Sequence, residues 1–122
     1  MRKIILLMSV FAVHFVMAQQ QTSPDGNVIL SFSLKNDGTP SYKVSYKNKP
    51  VINESTLGFT LKKADPLTNN FKVVDTKKST FKETWKPVWG EESEILNHYN
   101  ELLVSLEQNN TNRKMNIRFR VY

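Results

Sequence analysis

The 122-residue sequence contains no cysteine, only four glycines and only two histidines. Without cysteine the chain cannot form disulfides or a thiolate zinc site, so packing alone must stabilise its fold. The glycines form no phosphate-binding loop, which excludes the common nucleotide-binding motifs. One histidine lies in an apolar N-terminal run, so a serine–histidine–aspartate triad would have to use His98. No serine has the flanking glycines of a nucleophile elbow, and we predict no such triad.

Long apolar runs are also absent, except at the N-terminus. Two basic residues precede an apolar stretch over residues 4–17, which ends in small residues at a typical cleavage site. This stretch is shorter than the roughly 20 residues that span a bilayer, which favours a signal peptide over a membrane anchor. We therefore expect a signal peptide over residues 1–18, cleaved after Ala18. The mature chain, residues 19–122, is then predicted to be periplasmic or secreted, with no membrane association.

The charge of the chain is basic but dispersed. Lysine and arginine number 17 against 11 aspartates and glutamates, which gives a formal charge of +6. The lysines are spread along the sequence and form no arginine-rich block, as is typical of solvent-exposed lysines rather than of a nucleic-acid-binding surface. We predict no nucleic-acid partner.

Alternation of apolar and polar residues predicts short strands. Val28–Leu34 and residues 41–47 alternate with a period of two around the turn sequence 36–38, which predicts a β-hairpin. A polar leader is predicted before them, over residues 19–23. Further short strands are predicted at residues 51–52, 57–61, 71–76 and 80–85, with a turn at 77–79 joining the last two.

The segment after residue 91 fits both a helix and a strand. Ile95, Tyr99 and Leu102 share a helical face, whereas Leu96, His98 and Leu102 also share a strand face. The turn-rich sequence 108–112 and the alternating sequence 115–121 that follow indicate a hairpin. Residues 101–107 are therefore predicted to be a strand that extends back towards residue 94. Together, these segments predict an all-β antiparallel sandwich of seven or eight strands in one domain.

The candidate acids and metal ligands are few. Glu91, Glu92 and Glu94 are close in sequence, as on a solvated turn, whereas paired catalytic acids need opposite sides of a pocket. No aspartate cluster resembles a calcium-binding loop. We predict no catalytic residue and no metal site in this chain.

Aromatic residues give a better indication of function. Sugars present apolar faces that stack on aromatic rings, while amides and acids bind their hydroxyl groups. The residues that supply this mixture are Trp85, Trp89, Asn97, His98, Tyr99 and Asn100. The competing interpretation is that the tryptophans fill the core and that residues 97–100 satisfy turn backbone.

Several motifs occur in an order that resembles glycoside hydrolase family 97, and in particular its periplasmic α-glucosidases. The motifs are residues 22–26 (TSPDG), 40–46 (PSYKVSY), 57–58 (LG), 65–67 (DPL), 83–91 (ETWKPVWGE), 97–102 (NHYNEL) and 118–122 (RFRVY). The resemblance spans the mature chain, and the motifs at 83–91 and 97–102 are its most specific parts.

The resemblance implies a fold and a role. The fold is an N-terminal antiparallel β-super-sandwich of the galactose mutarotase-like kind, which precedes a catalytic (β/α)₈ barrel. The family's catalytic acids and calcium ligands lie in regions that have no counterpart here, so we expect no cofactor in this chain. Because the last strand runs to Tyr122, we also expect a chain that stops before its domain does, inactive alone, with the catalytic barrel as its partner.

The same resemblance suggests which residues lie near the sugar site. The candidates for carbohydrate binding or for the barrel interface are Trp89, Asn97, His98, Tyr99, Asn100 and Glu101. The alternative function is a stand-alone carbohydrate-binding sandwich that takes an α-glucan or oligosaccharide. A third interpretation is a structural or interaction domain without a ligand.

Overall fold

The computed structural model describes residues 18–122, so the expected signal peptide lies outside the described residues except for Ala18. Over this range the protein is built from strands without a helix, and hence has no helix able to span a membrane. The strands are β1 (Gln19–Thr22), β2 (Val28–Leu34), β3 (Pro40–Tyr46), β4 (Lys49–Thr56), β5 (Phe71–Trp85), β6 (Ile95–Gln108) and β7 (Lys114–Val121).

The strands form two antiparallel sheets that pack face to face. The first sheet has the order β1-β2-β3-β4 and the second has the order β5-β6-β7. Apolar side chains from both sheets meet in one core, in which the buried residues are Leu30, Phe32, Phe71, Leu102, Val104, Leu106 and Val121. The prediction of an all-β sandwich is confirmed.

The core follows from the period-two pattern. In β2, Leu30 and Phe32 point inward, as the alternation predicted. Residues 101–107 lie in a strand, as predicted, and Leu102, Val104 and Leu106 all face the core. The strand interpretation of this ambiguous segment is correct because both neighbouring strands pair with it over most of its length.

Two tight connections fix the register of the first sheet. Lys47 and Asn48 both have positive φ angles, of 47° and 64°, as a two-residue hairpin loop requires. Gly38 has a φ of 76°, and a Cβ atom there would lie 2.5 Å from the backbone nitrogen of Phe71. Glycine is therefore required at this position both for the turn and for the close approach of β5.

Three details differ from the sequence-based prediction. The polar leader is strand β1, because its backbone pairs with Val28–Leu34 regardless of its polar side chains. The expected turn at 77–79 is absent, because these residues pair with residues 101–103 and β5 continues unbroken. Residues 57–61 form no strand, and only an isolated bridge joins Phe59 to Leu67.

One end of the sandwich is closed by a buried glutamine. The side-chain amide of Gln108 donates to the carbonyl oxygens of Pro66 (3.0 Å) and Asn69 (3.1 Å). Its amide oxygen accepts hydrogen bonds from Thr111 (2.5 Å) and from Arg113 (2.9 Å). Gln108 thereby joins the loop after β4 to the hairpin after β6, and Arg113 adds a hydrogen bond to the carbonyl oxygen of Asp65 at 2.8 Å.

At the other end, the β5–β6 hairpin projects beyond the first sheet. Strand β1 ends at Thr22, whose carbonyl oxygen accepts a hydrogen bond from the Asn100 side chain at 2.8 Å. The paired strands continue past this point to Trp85 and Ile95. We call residues 80–100, which comprise the projecting strands and their connection at 86–94, the arm.

Candidate functional site

The candidate residues from the sequence are all on the arm or at its base. Trp89 lies in the connection at the arm tip, and Asn97, His98, Tyr99, Asn100 and Glu101 lie on β6. Because consecutive strand residues point to opposite faces, Asn97, Tyr99 and Glu101 share one face and His98 and Asn100 share the other. The candidates therefore do not form a single site, and Trp89 is separate from both groups.

Tyr99 is the centre of an aromatic cluster on the outer face of the second sheet. Its ring stacks on Phe81 with a centroid distance of 5.2 Å and packs against Tyr122 at 5.1 Å. The Arg120 guanidinium lies 4.9 Å from the Tyr99 ring centroid, a cation–π geometry. Tyr99 is buried, whereas Phe81 and Tyr122 remain exposed. We call Phe81, Tyr99 and Tyr122 the aromatic ladder.

Glu101 is held by two arginines. Its carboxylate oxygens lie 3.3 Å from Nε of Arg118 and 3.1 Å from Nε of Arg120. The hydrogen bond to Glu101, and the nearby Tyr99, raise the pKa of Arg120 above its ordinary value. The Glu101 backbone carbonyl accepts a further hydrogen bond from Gln21 at 2.8 Å. Glu101 thus ties β1, β6 and β7 together, and both of its carboxylate oxygens are engaged.

On the opposite face, Asn100 connects the arm to the sandwich. Its amide oxygen accepts a hydrogen bond from the Thr80 hydroxyl at 2.8 Å, and its amide nitrogen donates to Thr22. His98 is half-buried and lies opposite Lys82 across the strand pair. Asn100 therefore has a structural role at the point where β1 ends.

The arm tip is apolar and exposed. Trp89 and Val88 are each 89% exposed, and Trp85 and Leu96 are also exposed. The interpretation that the tryptophans fill the core is therefore wrong. The chain places them beyond the first sheet, where no described strand covers them. Periodicity did not reveal this position, because it depends on how far β1 extends along β6.

Charged groups surround this apolar tip. Glu91, Glu92 and Glu94 are exposed in the same connection, and Glu94 is 3.4 Å from the Lys86 ammonium. Within residues 18–122, no group of three or more histidine, aspartate or glutamate side chains is arranged to hold a metal ion.

Sequence reasoning singled out no residue of a groove on the outer face of the first sheet. The groove has a volume of about 380 Å³. Ile29 and Pro50 are among its apolar lining residues, and Lys43 and Glu54 among its charged ones. Its residues come from four different strands, so no local motif identifies it.

Comparison with known proteins decides the family. The model of the glycosyl-hydrolase 97 N-terminal family matches residues 22–122, which is nearly all of the described chain. The chain belongs to the glycosyl-hydrolase 97 N-terminal family.

Solved structures, among them those of family 97 enzymes, share this domain's fold. One is an enzyme from Pseudoalteromonas sp. strain K8 in complex with acarbose, with 33% identity and a TM-score of 0.79 over 85% of this chain. The E480Q variant of a family 97 enzyme from the same strain, in complex with panose, gives 32% identity and a TM-score of 0.78, again over 85% of this chain. A β-arabinopyranosidase gives 26% identity and a TM-score of 0.74 over 84% of this chain.

These structures are much longer than the present chain. The chain covers 16% of each of them, or about a sixth of their length. The family 97 N-terminal domain is therefore part of enzymes whose catalytic domain lies outside the matched region.

Proposed function

We propose that the protein serves as the non-catalytic N-terminal sandwich of an α-glycosidase, and that its arm packs against the catalytic barrel. The arm tip carries this proposal, because Trp89 and Val88 are almost fully exposed there. A buried aromatic side chain removes about 150–250 Å² from water, at roughly 25 cal/mol per Å². Exposed apolar residues clustered at the end of a projecting hairpin are typical of a surface that a partner covers.

The chemistry of the carboxylates supports a non-catalytic role. Glu101 is engaged by Arg118 and Arg120, and Glu91 and Glu92 are exposed in the connection at the arm tip. Glycoside hydrolysis needs two carboxyl groups on opposite sides of a bound sugar. The catalytic acids and the calcium ligands of the enzyme would then belong to the barrel, and the purified chain would not hydrolyse glycosides.

The substrate class is proposed from the sequence motifs, and the ligands of the relatives bear on it. Structures of family 97 enzymes from Pseudoalteromonas sp. strain K8 hold acarbose and panose, while another relative is a β-arabinopyranosidase. We favour α-glucosides or α-galactosides on the strength of the sequence motifs.

The proposed location is the periplasm or the cell exterior, after cleavage at Ala18. Strand β1 begins at Gln19, so this cleavage would leave all seven described strands intact.

A hybrid enzyme tests the role of the arm. Residues 22–122 of this chain would replace the matched region of the Pseudoalteromonas family 97 enzyme, whose hydrolysis of panose is then measured. We expect an active hybrid in which Trp89→Ser lowers both activity and thermal stability. The control is Leu61→Ser, because Leu61 is also exposed but lies in the loop after β4. Equal effects of the two substitutions would contradict the proposed interface.

The alternative function, a stand-alone carbohydrate-binding sandwich, is favoured by the aromatic ladder. Phe81 and Tyr122 offer exposed rings beside Arg120, Asn97 and Glu101, a combination that suits a sugar. Titration calorimetry with maltooligosaccharides tests it: binding that Tyr122→Ala abolishes would support this function. Absence of heat at millimolar ligand would reject it.

A further inference from the structure

The outer face of the first sheet has the features of a ligand site. Its groove of about 380 Å³ lies on the opposite side of the sandwich from the aromatic ladder. This volume falls within the range of about 300–1,000 Å³ that is typical of small-molecule sites. The lining residues come from all four strands of the sheet. The groove therefore crosses the sheet over a distance of roughly 14 Å, at about 4.8 Å for each strand step.

The strand register arranges the lining of the groove in rows. Ser31 pairs with Gln20 on one side and with Lys43 on the other, which makes a polar row across three strands. The neighbouring row across the sheet contains Ile29 and Pro50, and so it is partly apolar. These residues lie on the face opposite the core, because side chains alternate along each strand. A ligand with many hydroxyl groups and an apolar face can contact both rows at once.

An irregularity in the sheet gives this face its hollow. The pairing of β3 with β4 shifts register on both sides of Val44. Such bulges bend a strand and redirect its side chains. Lys43, Val44 and Ser45 all contribute atoms to the groove, although consecutive side chains of a regular strand point to opposite faces. The groove thus lies where the sheet departs from regular pairing.

The polar side chains of the groove are available to a ligand. In the part of the chain that the structure describes, the side-chain amides of Gln20, Asn48 and Asn53 form no hydrogen bond with the protein, and all three residues are exposed. The amides of Gln21 and Asn100, by contrast, donate to backbone carbonyl oxygens. Each amide carries both donors and an acceptor, which match the hydroxyl groups of a sugar.

The charges of the groove favour an uncharged ligand. Among the described residues that line it, Lys43 and Glu54 carry charge, and their signs cancel. Neither forms an ion pair within residues 18–122, and the Glu54 carboxylate accepts a hydrogen bond from the Ser41 hydroxyl at 3.1 Å. An ammonium group and a carboxylate both form strong, charge-assisted bonds with hydroxyl groups. A groove without net charge offers no compensation for desolvating an ionic ligand, and that desolvation is costly.

We propose that this groove binds an uncharged oligosaccharide of two or three sugar units. The hydroxyl groups of the sugar bond to Lys43, Glu54 and the side-chain amides, while an apolar ring face rests on Ile29 and Pro50. No aromatic side chain is among the described lining residues, so ring stacking does not contribute and we expect binding in the millimolar range. The site is separate from the arm and from the aromatic ladder, so it does not depend on the proposed function.

An NMR titration of the isotope-labelled chain tests the site. The probes are three neutral trisaccharides that differ in linkage or sugar: maltotriose, cellotriose and xylotriose. The side-chain amide signals of Gln20, Asn48 and Asn53 report on the groove directly. We expect at least one probe to shift these signals and the backbone amides of β3 and β4 in a saturable way at millimolar concentration. The trimer of galacturonic acid, which is anionic, should bind about tenfold more weakly.

A matched pair of variants tests the role of charge. Glu54→Gln removes the carboxylate charge but keeps an oxygen that can accept from Ser41. It should weaken binding of the neutral trisaccharide about tenfold, because charge-assisted bonds are the stronger ones. It should also strengthen binding of the galacturonic acid trimer, because Lys43 then supplies the remaining charge of the lining. The control is Glu92→Gln, which alters an exposed glutamate at the arm tip and should change neither affinity.

Three results would overturn the proposal. The first is the absence of shifts in the groove with all three neutral trisaccharides. The second is an equal effect of Glu54→Gln and Glu92→Gln on binding. The third is a set of shifts confined to Phe81, Tyr99 and Tyr122, because that would place the sugar on the aromatic ladder and support the alternative function instead. None of these results depends on whether the arm packs against a catalytic barrel.

Discussion

Strand β6 passes through two environments within fourteen residues. Leu102 lies between the two sheets and is fully buried, whereas Leu96, six residues earlier on the same strand face, is 56% exposed on the arm. Both residues are leucines and both pair with β5, so residue type does not distinguish them, although only Leu102 also pairs with β7. The difference arises because the first sheet ends at Thr22 and covers only the second half of β6.

The comparison separates the part of the strand that stabilises the chain from the part available to a partner. Apolar side chains contribute to folding stability only where folding removes them from water. The arm keeps its shape through strand pairing and through the bonds of Asn100, while its apolar residues remain uncovered. This division predicts that substitutions in the two halves of β6 affect different measurements.

The largest effect on the free energy of unfolding is expected from substituting one of the two leucines compared above, Leu102. Leu102→Ala should reduce the free energy of unfolding by about 2–5 kcal/mol, because it leaves a cavity in a core that cannot fully collapse. Leu96→Ala should change it by about 0.5 kcal/mol or less, as for other exposed positions. Urea denaturation of the purified chain, followed by far-ultraviolet circular dichroism of its strands, measures both. Equal losses would mean that the arm is buried in solution, for example by self-association.

Substitution of Gln108 should have the next largest effect on stability, since this residue closes the end of the sandwich opposite the arm. It is 1% exposed, and Gln108→Ala would remove the donor for two loop carbonyls and the acceptor for Thr111 and Arg113. Unsatisfied buried polar groups cost about 1–3 kcal/mol. The matched control is Gln20→Ala, because Gln20 is an exposed glutamine on β1. Thermal unfolding of the two variants gives the comparison, and similar midpoints would show that the loops do not depend on Gln108.

The same two regions differ in how well the sequence predicts them. The alternation in Val28–Leu34 and in the second half of β6 identified the core faces, because burial on one face imposes a period of two. The polar strand β1 was not predicted, since its side chains carry no such pattern and only its backbone pairing defines it. The turn expected at 77–79 also failed, because β6 continues alongside and its pairing outweighs local turn preference.

The candidate site was harder to predict than the core. Sequence motifs identified the right segment, but they did not indicate that Tyr99 and Glu101 would point away from His98 and Asn100. Nor did they indicate that Glu101 would be engaged by Arg118 and Arg120, which lie on a strand that begins after the next hairpin loop. Such contacts depend on register between strands, which local sequence does not specify.

The smallest effect on stability is expected from the turn between β1 and β2, which belongs to neither half of β6. The Ser23 hydroxyl donates a hydrogen bond to the Asp25 carboxylate, as do the Asn27 backbone (3.0 Å) and side-chain amide (2.7 Å). These bonds, that of Ser23 first, lower the pKa of Asp25 from 3.8 to about 2. A carboxyl group whose pKa is lowered by folding stabilises the native state above its unfolded pKa and loses that contribution as the pH falls.

The free energy of unfolding should therefore decrease between about pH 4 and pH 2, and Asp25→Asn should make this decrease shallower without abolishing it. The pKa of Asp37 is also lowered, through its bonds to Thr39, so this second carboxylate retains part of the acid dependence. Urea unfolding at several pH values, compared between the parent chain and the variant, measures the difference. A variant with the same acid dependence as the parent would show that the Asp25 turn is already open in solution. Because the turn joins β1 to β2, that result would also weaken the argument that β1 fixes where the arm begins.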